Sequence, residues 1–91
     1  MQVTLTTHAK QRFQQRLNFQ TNNTYTLPKG YIVKRYKHND TNNQIIDILT
    51  MVNQQPVILT VDQTTRKLIT VITEGYLLNV AMRKLKEAKC K

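Results

Sequence analysis

Four runs of β-branched and aromatic residues follow one another with little between them: "YIVKRY" at 31–36, "QIIDILTMV" at 44–52, "PVILTV" at 56–61 and "KLITVIT" at 67–73. Such composition favours extended chain, because branched side chains pack well on a pleated surface and crowd the turns of a helix. The connecting segments "KHNDTNN", "NQQ" and "DQTTR" are short, polar and turn-like. Consecutive strands are therefore expected to pair antiparallel, as a four-stranded meander. Val57, Leu59 and Val61 share one face of their strand, and Ile69 and Val71 share one face of theirs, while Thr60 and Thr70 point elsewhere. This predicts a sheet with one face covered by helix and the other partly polar.

The two ends of the chain supply the cover. "QVTLT" at 2–6 alternates Val3 and Leu5 with polar neighbours and reads as a short edge strand. Thr6 or Thr7 then caps a helix over residues 8–17, and Asn18 is a reasonable stop. Residues 18–30, "NFQTNNTYTLPKG", are amide-rich and end in Pro28 and Gly30, so they read as a loop. At the other end, "EGYLLNVAMRKLKEAKCK" carries Leu77, Leu78, Ala81, Met82, Leu85 and Ala88 at helical spacing, with Arg83, Lys84, Lys86 and Lys89 largely off that stripe. A basic amphipathic helix can lie on a membrane, but an uncovered sheet in the same chain makes core packing the expected role. The 91 residues are enough for a single domain, 1–91, of α+β class: a four-stranded antiparallel meander flanked by an N-terminal and a C-terminal helix.

Charge narrows the partners. Fourteen Lys and Arg face five Asp and Glu, a formal net charge of +9, and Lys10, Arg12, Arg16, Lys29, Lys34, Arg35 and Lys37 all precede the first acid, Asp40. A field of that sign favours RNA or another polyanion, or an acidic protein, and gives fast, salt-sensitive association. The one cysteine, Cys90, rules out an internal disulfide and a cysteine metal cluster. No apolar leader and no run of about 18 apolar residues is present, so neither a signal peptide nor a membrane span is expected, and a bacterial cytoplasm is the expected compartment. Asp40, Asp47, Asp62 and Glu74 show no paired spacing for carboxylate chemistry or a hard metal, and Gly30 and Gly75 cannot make a glycine-rich phosphate loop. No metal or cofactor is expected.

Within the first helix, His8, Arg12 and Arg16 recur at intervals of four beside a second row, Ala9, Phe13 and Leu17. Residues so spaced line up along a helix, so burying the second row leaves the first at the edge of the packing. A neutral imidazole can take a proton as general base, and guanidiniums can hold a phosphate and neutralise the charge that grows on it. These are parts for metal-free RNA cleavage by the ribose 2′-hydroxyl, which DNA lacks. The competing reading is a capping-region histidine followed by two arginines on a solvated face.

A second basic segment interleaves Lys34, Arg35 and Lys37 with Tyr31 and Tyr36 on one strand, with cations on one face and an aromatic on the other for stacking on unpaired bases. Equally, lysines on an edge strand protect it from pairing with other chains. An exposed edge at 31–37 would also allow a strand-mediated dimer. His38 falls in a turn and is expected to be solvated.

The stretch "THAKQRFQQR", followed much later by "VILTVDQTTRKLITVIT", resembles the small His-x3-Arg-x3-Arg domains of phages, plasmids and polymorphic toxins that are grouped with the barnase, RelE and colicin type ribonucleases. The resemblance covers about a third of the chain. It implies a helix packed on an antiparallel sheet, with a site that combines His8, Arg12 and Arg16 from the helix with Thr70 from a strand. Outside the resemblance, the basic residues of the chain are expected to take part: Arg35 or Arg66 as assisting groups, and Lys10, Lys34, Arg35, Lys37, Arg66 and Lys67 in contact with nucleic acid. The resemblance further implies a toxin-like, metal-independent endoribonuclease with an acidic antitoxin or immunity protein as partner. The alternative is a phage or mobile-element protein without chemistry, which inhibits a host defence complex by occupying a nucleic-acid-binding or protein surface.

Overall fold

A computed structural model describes residues 1–17 and 23–89 of the chain. The elements run β1 (Gln2–Leu5), α1 (Thr7–Leu17), β2 (Thr24–Thr26), β3 (Tyr31–Lys37), β4 (Gln44–Val52), β5 (Gln55–Asp62), β6 (Lys67–Ile72) and α2 (Tyr76–Lys89). The class is α+β, with two helices and the four expected strands paired antiparallel in sequence order. The sheet itself is larger than the expected meander: six strands, mixed, in the order β2-β1-β6-β5-β4-β3.

Two expectations are corrected here. The segment 2–6 is not an edge strand, because β1 lies between β6, to which it is parallel at Thr4↔Lys67 and Leu5↔Leu68, and β2, to which it is antiparallel. Contact between the first and the last strand leaves no local turn signal, so periodicity could not show it. The loop 18–30 contains β2, which is three residues long and too short to display alternation in an amide-rich stretch. Residues 18–22 of that loop, with the proposed stop at Asn18, lie outside the described residues, as does Cys90.

Local chemistry fixes the start of α1. Thr6 is the cap: its Oγ1 accepts from the Ala9 amide at 3.1 Å and donates to the Ile69 carbonyl at 3.2 Å, so one hydroxyl starts the helix and ties it to β6. The β4–β5 connection is a two-residue hairpin whose Asn53 and Gln54 both have positive φ, 51° and 64°, the geometry that matches the twist of the flanking strands.

Alternation divides the sheet into two faces, and both carry a helix. Val3, Leu5, Ile46, Ile48, Val52, Val57, Leu59, Val61, Leu68 and Val71 form one core with Ala9, Phe13 and Leu17 of α1. Phe13 is completely buried and tilts against Tyr25 of β2, ring centroids 5.2 Å apart. The other face packs Leu49, Ile58, Tyr31, Val33 and Ile72 under Leu78, Ala81 and Leu85 of α2. The expected division into one covered face and one partly polar face therefore holds for only part of the second face. Beside the α2 contacts that face carries polar groups, with Thr60 and Asp62 buried among them and Lys34 and Lys67 exposed.

Ile69 does not share a face with Val71 as expected. Thr60 pairs with Thr70 and Val61 with Leu68, so Ile69 is the extra residue of a bulge and the strand changes phase there. No helix among the described residues is long and apolar enough to cross a membrane.

Candidate functional site

α1 sets its apolar row into the sheet and leaves the expected site row outside. His8 is exposed, Arg12 half-buried and Arg16 exposed, and each does something different. Arg12 donates its Nε–H to Nε2 of His8 at 3.4 Å, one helical turn away. A guanidinium is only a donor, so in this contact Nε2 of His8 is the acceptor. Arg16 turns aside and donates from Nη1 to the Val71 carbonyl at 2.9 Å. The helix thus brings His8 and Arg12 together and commits Arg16 in part to holding α1 on β6.

Thr70 is not part of this group. It pairs with Thr60 on the face covered by α2, whereas Val71, one residue on, points into the core under α1. Lys10 lies on the other flank of α1, where its Nζ donates to Oδ1 of Asn23 beside β2. Arg66 closes the β5–β6 turn in a left-handed conformation, φ 57°, and its carbonyl accepts from the Thr4 amide. Lys67, next to it, is exposed and pairs in register with both Asp62 and Thr4.

On β3 the expected separation of cations from aromatics is altered. A register shift between Ile32 and Lys34 makes Val33 an extra residue, so Tyr31, Lys34 and Tyr36 share the α2 face, while Ile32, Arg35 and Lys37 share the other. Tyr31 is packed beneath α2. Lys34 holds its Nζ 4.9 Å from the centre of the Tyr36 ring, a cation–π contact that occupies one side of the aromatic. Arg35 and Lys37 are exposed at the sheet edge that β3 forms. His38 is exposed in its turn, and its Nδ1 accepts from the Asp40 amide at 3.2 Å.

Between β3 and β6 the α2 face presents a row that reading single strands missed: Lys34, Asp47, Thr60 and Thr70 stand side by side on four strands. Thr60 Oγ1 donates to Oδ1 of Asp47 at 2.8 Å. Burial, with the Asp47 charge nearby, raises the Tyr36 phenol above its ordinary value. One row further, burial pushes the Asp62 carboxyl up, but hydrogen bonds from Asn43, Thr65 and Thr64 outweigh it and hold the group below the usual carboxylate range. Asp62 therefore organises the β5–β6 turn. Among the described residues no three His, Cys, Asp or Glu side chains gather in a way that could hold a metal.

On the far side of α2 lies an open groove of about 1060 Å³, bounded by the 28–31 segment, the end of β4, the start of β5 and Met82, Arg83, Leu85 and Lys86 of α2. Its sequence signal was Met82 beside two cations on the amphipathic helix. In comparisons with known proteins, no family model, no curated protein and no solved structure matches the chain.

Proposed function

We propose that this chain binds RNA through the His8–Arg12 face of α1 and cleaves it without a metal, as a toxin-like endoribonuclease of a bacterial cytoplasm. The observation that carries the reading is the exposed contact between Arg12 Nε and His8 Nε2. At 3.4 Å it sits at the long end of hydrogen-bond distances, so a phosphate can take the guanidinium in exchange. That exchange frees the imidazole lone pair beside the bound phosphate. His8 then accepts the 2′-hydroxyl proton, the 2′-oxygen bonds to phosphorus, and the 5′-oxygen leaves with a proton from water, giving a 2′,3′-cyclic phosphate. Arg12 stabilises the charge that grows on the phosphoryl oxygens. The net charge of +9 and the exposed Arg35 and Lys37 at the β3 edge extend the attraction for the rest of the strand. The resemblance to His-x3-Arg-x3-Arg domains supports the same assignment at His8, Arg12 and Arg16, and an acidic antitoxin or immunity protein would fit over this face.

A second reading draws on the placement of Thr70 across the sheet from α1. Without the strand hydroxyl, the basic surface serves a phage or mobile-element inhibitor that occupies the nucleic-acid channel of a host defence complex and does no chemistry.

A salt titration of single-stranded RNA binding tests the interface common to both readings. Each phosphate neutralised contributes a slope of about 0.7 in log K against log salt, so Arg12→Ala flattens the slope by about that amount. A slope unchanged by Arg12→Ala and by Arg35→Ala would remove RNA binding from these residues.

A further inference from the structure

The groove beside α2 is a feature that the RNA reading leaves unused, and it lies on the sheet face opposite α1. Its floor and walls are apolar: Met51, Pro56, Tyr31, Leu49, Met82 and Leu85. Met51 is 58% exposed and Met82 44%, high for apolar side chains that line one concavity. Gly30 lines the groove; a Cβ there would stand 2.6 Å from both Ile48 Cγ2 and the Leu49 carbonyl, and Thr50 Oγ1 holds the preceding residue by donating to the Lys29 carbonyl at 2.9 Å.

Charge selects the occupant. Lys29, Arg83 and Lys86 stand at the rim, and none of the described residues that line the groove is acidic. An open trough of about 1060 Å³ lies at the upper end of the range for a small-molecule site and has room for a segment laid along it. The two methionines in the lining adapt to varied side chains, as at surfaces that receive amphipathic helices. We infer that the groove receives an acidic amphipathic helix from a partner protein, whose apolar stripe lies between Met51 and Met82 and whose carboxylates meet Lys29, Arg83 and Lys86. Because the groove and the His8–Arg12 pair occupy opposite faces, the partner binds without covering the RNA surface.

The test is selection from a displayed library of random 16-residue peptides on the intact protein, counter-selected against Met82→Glu/Lys86→Glu, two exposed substitutions whose folding a thermal melt checks. The recovered peptides are expected to be acidic, with apolar residues at helical spacing, and a synthetic copy loses about tenfold or more in affinity for the double variant. The loss of salt slope caused by Arg12→Ala is expected to be the same in the variant and in peptide-saturated protein, whatever the overall change in affinity from the altered charge, so this inference and the RNA reading fail separately. No enrichment, neutral or basic sequences, or displacement of the peptide by RNA would overturn it. Preferential binding to phosphatidylglycerol vesicles, or self-association abolished by Met82→Glu, would overturn it equally by giving the groove to lipid or to a second copy.

Discussion

Thr70 stands opposite Thr60 in the β5–β6 ladder, on the α2 side of the sheet, while its neighbour Val71 points under α1 and lends its carbonyl to Arg16. Adjacent residues of one strand thus serve opposite faces. Thr70→Val is accordingly expected to leave RNA affinity and cleavage unchanged in gel and filter assays. A marked loss would return Thr70 to the site.

Arg16 carries a structural duty as well as a charge. Its bond to the Val71 carbonyl fastens α1 to β6, and a hydrogen bond of this kind is worth about 0.5–1.5 kcal/mol. Arg16→Ala is expected to lower urea stability by about 1 kcal/mol, whereas His8→Ala, an exposed change, leaves it within about 0.5 kcal/mol. Equal stability for both variants would show that Arg16 is held only loosely.

Asp62 gives the fold an acid limit. Its pKa is lowered in the folded protein, so its contribution to stability is present above the ordinary carboxylate value near 3.9 and is lost as pH falls through the lowered native value. Asp62→Asn removes charge-assisted bonds to Thr64 and Thr65, with a cost of about 1–3 kcal/mol. Urea melts of both proteins from neutral pH to about pH 2 are expected to differ most near neutrality and to converge below about pH 4.

Gly30 is required for close approach, not for its backbone freedom. Gly30→Ala drives a Cβ to 2.6 Å from the Leu49 carbonyl, which cannot rotate away as a side chain can. The expected cost is about 1–3 kcal/mol by denaturation, together with weaker peptide binding in the groove. Wild-type stability would mean that the 28–31 segment relaxes freely.

How far these features could be read in advance depended on how local they were. The meander was legible because the β-rich runs from Tyr31 to Thr73 are separated by short turns, and α1 because Ala9, Phe13 and Leu17 repeat every four residues. The strands β1 and β6 were legible too, but their pairing was not, since a parallel pair joined through the length of the chain has no signature in a window of ten residues. The faces of β3 and β6 were misread for another reason: single extra residues at Val33 and Ile69 shift the alternation, and a bulge in such a strand has no composition of its own. In the candidate site, the His8–Arg12 contact followed from helical spacing alone. The turning of Arg16 toward Val71 did not, because it depends on where β6 lies in three dimensions.

The central claim is that the His8–Arg12 pair is chemically active on RNA. Its most direct test is incubation of the pure protein in EDTA with labelled tRNA, a structured RNA and the matching DNA, with His8→Ala alongside. Cleavage of RNA only, with cyclic phosphate ends, abolished in the variant, is the expected result. Tight, salt-sensitive binding without cleavage, identical in wild type and His8→Ala, would contradict it and leave the pair as part of a solvated helix face.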